Sequence, residues 1–361
     1  PDTVTVIENS AFNGCVNLLK IMIPDSVTRI ENWAFYNCNN LSTVTLSNNL
    51  NYMGEYAFGN CKKITKIEIP KSLDSSGGPF KNCDGLKMVT FEKGTTEISS
   101  SLFEDCTGLE EIDIPDTVTV IENSAFNGCV NLSQITIPDT VTIIDKFAFY
   151  DCEKLVSVNI PDSVTKIYDY AFDDCSNLSN MTLSKNLEYM GERAFGNCTK
   201  ITKIEIPKSL DSSGGPFENC ISLKKVTFEK GTTKISRSLF AGCNGLEEIY
   251  IPDTITVIGN NAFSSCTKLE QINFSNKLTK IESYGFYGCT SLKKITLPDS
   301  INSIENNIFQ NCTSLIEVHL SNILKEIPVS SFEGCKKLTT INFPSTLTTI
   351  EDSAFSGCES L

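Results

Sequence analysis

Residues 18–40 read LLKIMIPDSVTRIENWAFYNCNN, and this 23-residue pattern recurs along the whole chain. In general form the unit is LxxIxIPxxVxxIxxxAFxxCxx, and the next copy opens at Leu41. Sixteen Phe residues recur in one column from Phe12 to Phe355, and sixteen Cys residues recur three positions later from Cys15 to Cys358. A fixed period of this length is typical of a solenoid, in which each repeat forms one coil and buries its apolar side chains against its neighbours.

Each unit opens with a segment that has the pattern of a short β-strand. In Leu41–Leu46 the apolar Val44 and Leu46 alternate with threonines, which is the period of a strand with one buried face. Proline has no N–H to donate to a β-ladder, so the pair Pro24-Asp25 and its equivalents are expected to end the strand. We expect the opening strands of successive units to form one parallel sheet that lines one face.

The remainder of each unit must lead the chain back to the next strand. Val27–Ile30 places two apolar residues three positions apart, which predicts a short extended segment on a second face. The Ala-Phe pair is expected to fill the interior from a short helical or 3₁₀ turn. The residue before each Cys is Gly, Asn or Asp in every unit except the one with Ser265, and these residues best tolerate a left-handed backbone. We therefore predict a turn with positive φ at this column.

These patterns predict an α/β repeat solenoid of sixteen coils of about 23 residues, mostly β with a parallel strand sheet and short turns. The expected domain organisation is a single solenoid domain over residues 1–361, cut within a repeat at both ends and therefore a fragment. Residues Lys63–Phe80 recur unchanged as Lys200–Phe217, which indicates duplication of a block, 1–137 and 138–274.

Both copies of the duplicated segment contain a unit that is one residue short. The runs Leu73–Phe80 and Leu210–Phe217 include Gly-Gly-Pro, and alignment with the regular unit places Ser76 and Ser213 where Ile is usual. Two interpretations remain open for these runs: a tolerated deformation of the coil, or a mobile recognition loop presented twice.

The cysteines are predicted to be buried, unpaired thiols. Each Cys occupies the same core column, next to the Phe column, and a free Cys behaves as a small apolar residue. Disulfides between stacked neighbours are the less favoured alternative. A zinc site is disfavoured because the chain has no CxxC motif and a single His, His319.

Composition and motifs exclude several functions. The net charge of −14 disfavours nucleic acid and anionic membranes as partners, and no apolar run is long enough to insert into a membrane. A single His excludes most Ser-His and Cys-His catalysis, and phosphate-cradling, zinc-protease and calcium-loop motifs are missing. The sequence therefore predicts no enzyme activity, no cofactor and no metal site.

The outward columns of the opening strands are the expected contact surface. They form a polar surface of mixed charge with few aromatic or Arg residues, the types that dominate interface energetics. The candidate ligand-binding residues on this surface are Lys66, Glu68, Lys203, Glu205, Tyr250, Lys294 and His319.

The unit, with its Ile-Pro-Asp-Ser-Val turn (Ile23–Val27) and its Ala-Phe-x-x-Cys segment (Ala34–Cys38), resembles the treponemal-type leucine-rich repeat of BspA-like surface proteins over the whole chain. The resemblance implies a right-handed solenoid at the cell surface or secreted, with a role in adhesion. Ser47-Asn48, Ser321-Asn322 and Glu92-Lys93 replace Pro-Asp and depart from that pattern. Fold does not fix function, so the adhesive role is an analogy.

Three functional hypotheses follow. The favoured one is a non-catalytic adhesion scaffold that binds host, matrix or neighbouring-cell surface proteins. The alternatives are a passive stalk that presents another domain, and a glycan-binding module, which would need exposed aromatic platforms. On the strand columns Tyr250 stands out as an aromatic residue of this kind. End-to-end self-association of the fragment is also expected, because uncapped repeat ends expose the core.

Overall fold

The computed structural model describes residues 2–71, 73–75 and 77–361. Throughout these residues the chain forms short β-strands joined by turns, and none of them is helical. The chain divides into two compact units, unit 1 up to Asn186 and unit 2 over Leu187–Leu361. The prediction of a single domain over 1–361 stays a prediction, and each unit is described by itself.

The strand that opens each repeat has three or four residues, and we call the surface formed by these strands the first face. Its strands are β2 (Lys20–Met22), β4 (Thr43–Thr45), β6 (Lys66–Ile69), β8 (Met88–Phe91), β10 (Glu111–Asp113), β12 (Gln134–Thr136), β14 (Ser157–Asn159), β16 (Asn180–Thr182), β18 (Lys203–Ile206), β20 (Lys225–Phe228), β22 (Glu248–Tyr250), β24 (Gln271–Asn273), β26 (Lys294–Thr296), β28 (Glu317–His319) and β30 (Thr340–Asn342).

Two-residue strands form a second face. They are β1 (Val6–Ile7), β3 (Arg29–Ile30), β5 (Tyr52–Met53), β7 (Asp74–Ser75), β9 (Glu97–Ile98), β11 (Val120–Ile121), β13 (Ile143–Ile144), β15 (Lys166–Ile167), β17 (Tyr189–Met190), β19 (Asp211–Ser212), β21 (Lys234–Ile235), β23 (Val257–Ile258), β25 (Lys280–Ile281), β27 (Ser303–Ile304), β29 (Glu326–Ile327) and β31 (Thr349–Ile350).

Every paired strand is parallel to its equivalent in the next repeat, which confirms the predicted solenoid. The first-face ladders of unit 1 are β2-β4, β6-β8 and β10-β12-β14-β16, and those of unit 2 are β18-β20, β22-β24 and β26-β28-β30. The second face has β1-β3-β5-β7 and β9-β11-β13-β15 in unit 1, and β17-β19, β21-β23-β25-β27 and β29-β31 in unit 2. Within each unit the opening strands pair in parallel along the first face, as expected, although in several separate ladders, and the extended segment predicted on a second face is confirmed by the two-residue strands there.

The register places identical repeat positions side by side. Ile21 pairs with Val44, and Ile112 pairs with Ile135, so inward residues stack on inward residues. The Phe column lies between the two faces and forms a ladder whose ring centroids are 4.7 Å apart for Phe35 and Phe58. From Phe35 to Phe332 these rings have no exposed surface. Stacking of this kind supplies the continuous core that no single repeat could bury alone.

The cysteine side chains form no disulfide and line the same core, as predicted. The fourteen residues from Cys38 to Cys335 are buried, whereas the outermost Cys15 is exposed and Cys358 is partly exposed. The thiol of Cys266 donates to the carbonyl oxygen of Phe240 in the preceding coil, at 3.0 Å, and the same bond recurs at interior thiols such as Cys243 and Cys289. Burial raises the pKa of Cys266 to about 12, so the sulfur keeps the proton that it donates.

The prediction of a helical or 3₁₀ turn at the Ala-Phe pair was wrong. Successive N–H groups there alternate between two kinds of partner: Phe35 donates to Ala57 O of the next coil at 2.7 Å, whereas Tyr36 donates to Trp33 O of its own coil at 3.1 Å. A helix would direct all of these bonds within the segment. Here every second bond instead ties one coil to the next, which continues the inter-coil bonding of the strands around the turn.

The prediction of positive φ before each Cys is confirmed, including Ser265 at 59°. A second column with positive φ lies four residues earlier, and its residues are more varied than those before Cys. It includes Trp33 at 54° and Phe147 at 55°, residues that rarely adopt this backbone. The turn therefore contains two left-handed residues in each coil.

The two short units differ from the sequence alignment by one position. Met53 pairs with Ser75 and Met190 pairs with Ser212, so these serines, and not Ser76 and Ser213, occupy the inward position. Ser76 itself lies outside the described residues. The missing residue lies between Leu73 and Ser75, because Leu73 still occupies the buried apolar position that precedes the strand.

The Gly-Gly-Pro runs are built into the coil. Gly78 and Pro79 are buried, and Pro79 O accepts the N–H of Phe58 at 2.7 Å. Gly77 and Gly78 both have positive φ, and a Cβ on Gly77 would lie 2.5 Å from Glu55 Cγ. The same contacts recur in unit 2, where Pro216 O accepts from Phe195 N at 2.8 Å. These contacts favour the interpretation of a structural deformation over that of a mobile recognition loop.

Candidate protein-binding surface

The first face carries the residues that the sequence singled out for binding. Side chains alternate across a strand, so the middle residue of each three-residue strand is directed inward and its neighbours face solvent. The structure places all seven candidates at such outward positions: Lys66 and Glu68 on β6, Lys203 and Glu205 on β18, Tyr250 on β22, Lys294 on β26 and His319 on β28.

In unit 2 the structure brings Lys294 and His319 together through Glu317. Lys294 Nζ lies 3.0 Å from Glu317 Oε2, and His319 Nε2 lies 2.6 Å from Glu317 Oε1. The hydrogen bond from His319 and then that from Lys294 lower the pKa of the Glu317 carboxyl group. Tyr250 is 67% exposed, and its register partner on β24 is Asn273. The unit 2 candidates thus comprise a surface ion-pair cluster and an exposed aromatic ring.

In unit 1 the first face is indented. A depression of about 660 Å³ is lined by residues of the first four repeats, among them Met22, Lys66, Glu68 and Met88. Met22 is 76% exposed and Met88 is 58% exposed, although both side chains are apolar. Lys66 and Glu68 lie between the two methionines along the face, so the depression combines an apolar contact at each side with two opposite charges in the middle.

A second depression of about 370 Å³ adjoins the first. Its lining includes Met88 and Thr90, which also line the first depression, together with Glu111 and Asp113 of the next repeat. Met88 therefore stands on the boundary between two concave areas of the first face. A flexible, polarizable side chain at such a place can adapt to the shape of a partner surface.

The rim of the larger depression is fixed by hydrogen bonds between repeats. Asp25 Oδ1 accepts the N–H of Asn48 at 3.0 Å. Glu92 accepts the N–H of Lys71 at 3.1 Å and pairs with Lys71 Nζ at 3.0 Å, and these contacts lower the pKa of the Glu92 carboxyl group. The departures Asn48 and Glu92 from the Pro-Asp pattern thus have a structural role, because each is part of a bond between neighbouring turns.

Sequence reasoning placed Lys66 and Glu68 correctly on the outward surface but left Met88 out of the candidate residues. The column pattern already predicted that Met88 faces outward. The depressions on either side of it are each formed by residues of several repeats, for which the sequence contains no local signal.

The described part of the chain contains neither a candidate metal site nor a helix that could span a membrane. Over residues 2–71, 73–75 and 77–361, no three His, Cys, Asp or Glu side chains are grouped so that they could hold a metal ion. The same residues contain no helix with the length and apolar character that a membrane span requires.

Comparisons with known proteins agree with the repeat architecture. The family model of the BspA type leucine rich repeat region matches residues 5–133, 119–247, 213–276 and 233–361. A search of curated proteins found no match. Among solved structures, a leucine-rich repeat protein from Bacteroides ovatus is 31% identical, with a TM-score of 0.62 over 86% of this chain and 81% of that one.

Two further solved structures have lower similarity. A leucine rich cell surface protein from Faecalibacterium prausnitzii is 27% identical, with a TM-score of 0.47 over 81% of this chain and 83% of that one. A leucine-rich repeat protein from Eubacterium ventriosum is 22% identical, with a TM-score of 0.48 over 85% of this chain and 80% of that one.

Proposed function

Because the chain belongs to the BspA-type leucine-rich repeat family, we propose that it is a non-catalytic scaffold that binds proteins through the first face of unit 1. Its place is the cell surface or the exterior, where it contributes to adhesion. The observation that carries the proposal is the exposure of Met88, 58%, between two adjoining depressions. Burial of an apolar side chain in this setting by a partner lowers the free energy of the complex.

The composition of the depression matches that of a protein interface. Methionine is enriched in interfaces, and Met22 and Met88 provide two apolar anchors separated by the charged Lys66 and Glu68. Opposite charges next to each other select the orientation of a partner more than they add affinity. We infer that a partner contributes an apolar side chain to each methionine and polar groups to the pair between them.

The internal duplication provides a variant that separates binding from folding. Lys225 occupies on β20 the position that Met88 occupies on β8, and it pairs with Lys203 as Met88 pairs with Lys66. Both strands have four residues. Met88→Lys therefore introduces a residue that this repeat position already accepts, and we expect the stability of unit 1 to be unchanged.

The test measures binding of the purified chain to enzymatically deglycosylated matrix proteins and to deglycosylated host-cell surface proteins, by surface plasmon resonance. We expect saturable binding by the wild type and a loss of affinity of at least about tenfold in Met88→Lys. Thr296→Lys, a comparable exchange on β26 of unit 2, is the control and should bind as the wild type does. Equal binding by all three proteins, or no saturable binding by the wild type, contradicts the proposal.

A further inference from the structure

A third surface, distinct from the first and second faces, is formed by the left-handed residues that precede each Ala-Phe pair or its equivalent, and we call it the turn face. This column has positive φ throughout the described repeats, with values between 48° and 66°. Its members are Ser10, Trp33, Tyr56, Gly78, Ser101, Ser124, Phe147, Tyr170, Arg193, Gly215, Ser238, Asn261, Tyr284, Asn307, Ser330 and Ser353.

Five members of this column are aromatic, although the backbone there disfavours bulky side chains. Left-handed residues are normally Gly or Asn, and a bulky residue with positive φ is strained. Backbone strain of this kind is concentrated at functional sites. The Ser, Asn and Gly residues elsewhere in the column show that the fold does not require an aromatic ring. The aromatic residues therefore call for an explanation other than stability.

The first aromatic cluster consists of Tyr36 and Tyr56, and Trp33 lies in the same turn, three residues before Tyr36 and in the same column as Tyr56. The rings of Tyr36 and Tyr56 meet edge to face at 5.8 Å, and the closeness of both rings to Gly59 leaves no room for a side chain there. Asn60 Nδ2 donates to the hydroxyl of Tyr36 at 3.1 Å. The cluster is thus held in place by packing and by an amide from the next coil.

Trp33 provides the exposed aromatic ring of this turn. It is 38% exposed, and the equivalent position in the preceding coil is the small Ser10. Asn37, four residues further along, accepts a hydrogen bond from Asn60 Nδ2 at 3.0 Å, so two amides lie at the hydroxyl of Tyr36. The turn therefore offers an exposed indole plane and hydrogen-bonding groups at once.

The arrangement recurs at two other places. Phe147 stacks on Tyr170 at 5.1 Å and contacts Tyr150 edge to face at 5.7 Å, and Tyr150 is hydrogen-bonded to Asp174. In unit 2, Tyr284 is 37% exposed and contacts Tyr287 edge to face at 5.8 Å. Asn311 Nδ2 lies 3.4 Å from the Tyr287 hydroxyl, and this contact corresponds to that of Asn60 with Tyr36 in the first cluster. The repeated design comprises two rings three residues apart and a Tyr hydroxyl anchored by an Asn or Asp of the next coil.

We propose that the aromatic clusters of the turn face bind neutral carbohydrate, with pyranose rings of gluco configuration stacked on Trp33, Phe147 and Tyr284. Sugars with all hydroxyls equatorial present a flat face of C–H groups, which complements the electron-rich face of an aromatic ring. Their equatorial hydroxyls pair with amides and carboxylates at the edge of the ring, such as Asn37.

The charges around the clusters favour a neutral ligand over an anionic one. Lys81 lies 5.8 Å from the centroid of the Tyr56 ring, but its Nζ is paired with Glu104 at 2.8 Å and with Asp105 at 3.3 Å. The chain as a whole carries a net charge of −14. Sulfated or sialylated glycans would therefore meet repulsion without a compensating cation at this cluster.

The turn of the first cluster contains its own probe, because Trp33 is the single tryptophan of the chain. We expect cellotetraose and chitotetraose to change the Trp33 emission in a saturable way, with Kd on the order of 1 mM for one cluster. Mannotetraose, which has axial hydroxyls, and a heparin tetrasaccharide serve as comparison ligands. Neither should produce more than a weak, non-saturating change.

The decisive variant replaces Trp33, Phe147 and Tyr284 together by Ser. Serine occupies the same column at positions 10, 101 and 124 with φ of 56°, so the variant is expected to fold. Ligand-observed NMR should show a loss of affinity for chitotetraose of at least about tenfold, whereas Met88→Lys should bind it as the wild type does. Unchanged Trp33 emission up to about 20 mM sugar, unchanged affinity in the triple variant, or equal binding of the heparin fragment would each overturn the proposal.

Discussion

The regular coil around Phe149 and the shortened coil around Phe80 use the same core column in different ways. The ring of Phe149 stacks at 5.2 Å on Phe126 and at 5.0 Å on Phe172. The ring of Phe80 lies 5.6 Å from Phe58 and 6.3 Å from Phe103. The duplicate coil in unit 2 reproduces the wider spacing, since Phe217 and Phe240 are 6.4 Å apart. The looser stacking is thus a property of the Gly-Gly-Pro coil itself.

Buried serines explain why these coils remain ordered despite the wider stacking. Ser75 stands at an inward position that is usually Ile or Met, and its hydroxyl donates to Ser100 O at 3.2 Å. Ser212 does the same with Arg237 O at 2.8 Å. A core position can exchange apolar contact for a hydrogen bond provided that the polar group is satisfied. The difference between the two coils teaches that the ladder tolerates local loss of contact if each polar group finds a partner.

The strands next to the short coils are also the longest on the first face. In unit 1 these are β6 and β8, which pair over four residues from Lys66 to Phe91 and line the larger depression. The irregular coil and the candidate binding surface therefore coincide in unit 1. A feature that would be a defect in a uniform stack changes the shape of the face that is offered to partners.

The largest effect should come from removing a ring of the regular ladder. Phe149→Ala leaves a cavity between two closely stacked rings and should reduce the local free energy of unfolding by about 3–5 kcal/mol. Phe80→Ala should cost about 1 kcal/mol less, because the wider ring spacing gives up less aromatic contact. Native-state hydrogen exchange of the neighbouring amides measures both, since a repeat array need not unfold in one step. An equal or greater loss for Phe80→Ala would contradict the comparison.

A smaller effect is expected from the buried hydroxyls beside the short coil. Ser99 Oγ donates to Leu73 O at 2.8 Å, and both groups are buried. Ser99→Ala leaves this carbonyl without the hydroxyl donor and should destabilise unit 1 by about 1–3 kcal/mol. Ser42 makes the same kind of bond to Leu19 O at 3.2 Å in an exposed setting, so Ser42→Ala is the matched control.

Urea unfolding followed by circular dichroism compares the two serine variants. Water replaces the hydroxyl of Ser42, so that its removal should change the free energy of unfolding by less than about 0.5 kcal/mol. If Ser99→Ala and Ser42→Ala had the same free energy of unfolding, the buried hydrogen bonds would not account for the stability of the short coil.

The smallest effect concerns pH and two glutamates at the same repeat position. Burial and then the charge of Glu97 raise the pKa of Glu122. The N–H of Ser100, which donates to Glu122 Oε2 at 2.9 Å, acts in the opposite direction. The stabilising contribution of Glu122 is therefore complete below the ordinary Glu pKa and is lost as the pH rises through the folded value. Lys280 lowers the pKa of Glu305, whose contribution is present above the ordinary pKa and is lost as the pH falls.

Thermal unfolding between about pH 3.5 and 7 tests the opposite signs, because this range extends from about one unit below to more than two units above an ordinary carboxyl pKa. Glu122→Gln should flatten the decline of stability with rising pH, and Glu305→Gln should flatten the decline with falling pH. The reverse pattern would mean that the hydrogen bond from the N–H of Ser100, and not burial, governs the pKa of Glu122.

The inward columns of this fold were predictable, because the same repeat position must be buried in every unit and therefore keeps the same type of residue. The Phe and Cys columns and the positive φ before each Cys could be identified from residue type alone. The left-handed column of Trp33 and Phe147 could not, since these residues give no sign of such a backbone. The sequence alignment assigned the inward position to residue 76 and not to Ser75, because a deletion can lie anywhere between two apolar anchors until the strand register is known.

Only the location of the binding surface could be predicted from the sequence, and not its shape. Alternation along β6 placed Lys66 and Glu68 outward, but the depression beside Met88 is lined by residues of several coils, and no single unit of the sequence indicates it. The aromatic platforms that a glycan-binding module needs were expected on the strands, where Tyr250 stands out. The aromatic clusters that we propose to bind carbohydrate lie on the turn face instead, where the direction of a side chain depends on a φ value that the sequence did not predict.

The central claim is that inward columns seal the core between coils and leave outward columns alone for partners. Alkylation of the native chain with iodoacetamide, read out for each cysteine by mass spectrometry, tests this claim most directly. Cys15 should react first and Cys358 more slowly, whereas interior thiols such as Cys83, whose pKa burial raises to about 12, should react only after unfolding. Reaction of the interior thiols at the rate of Cys15 in the folded protein would contradict the account.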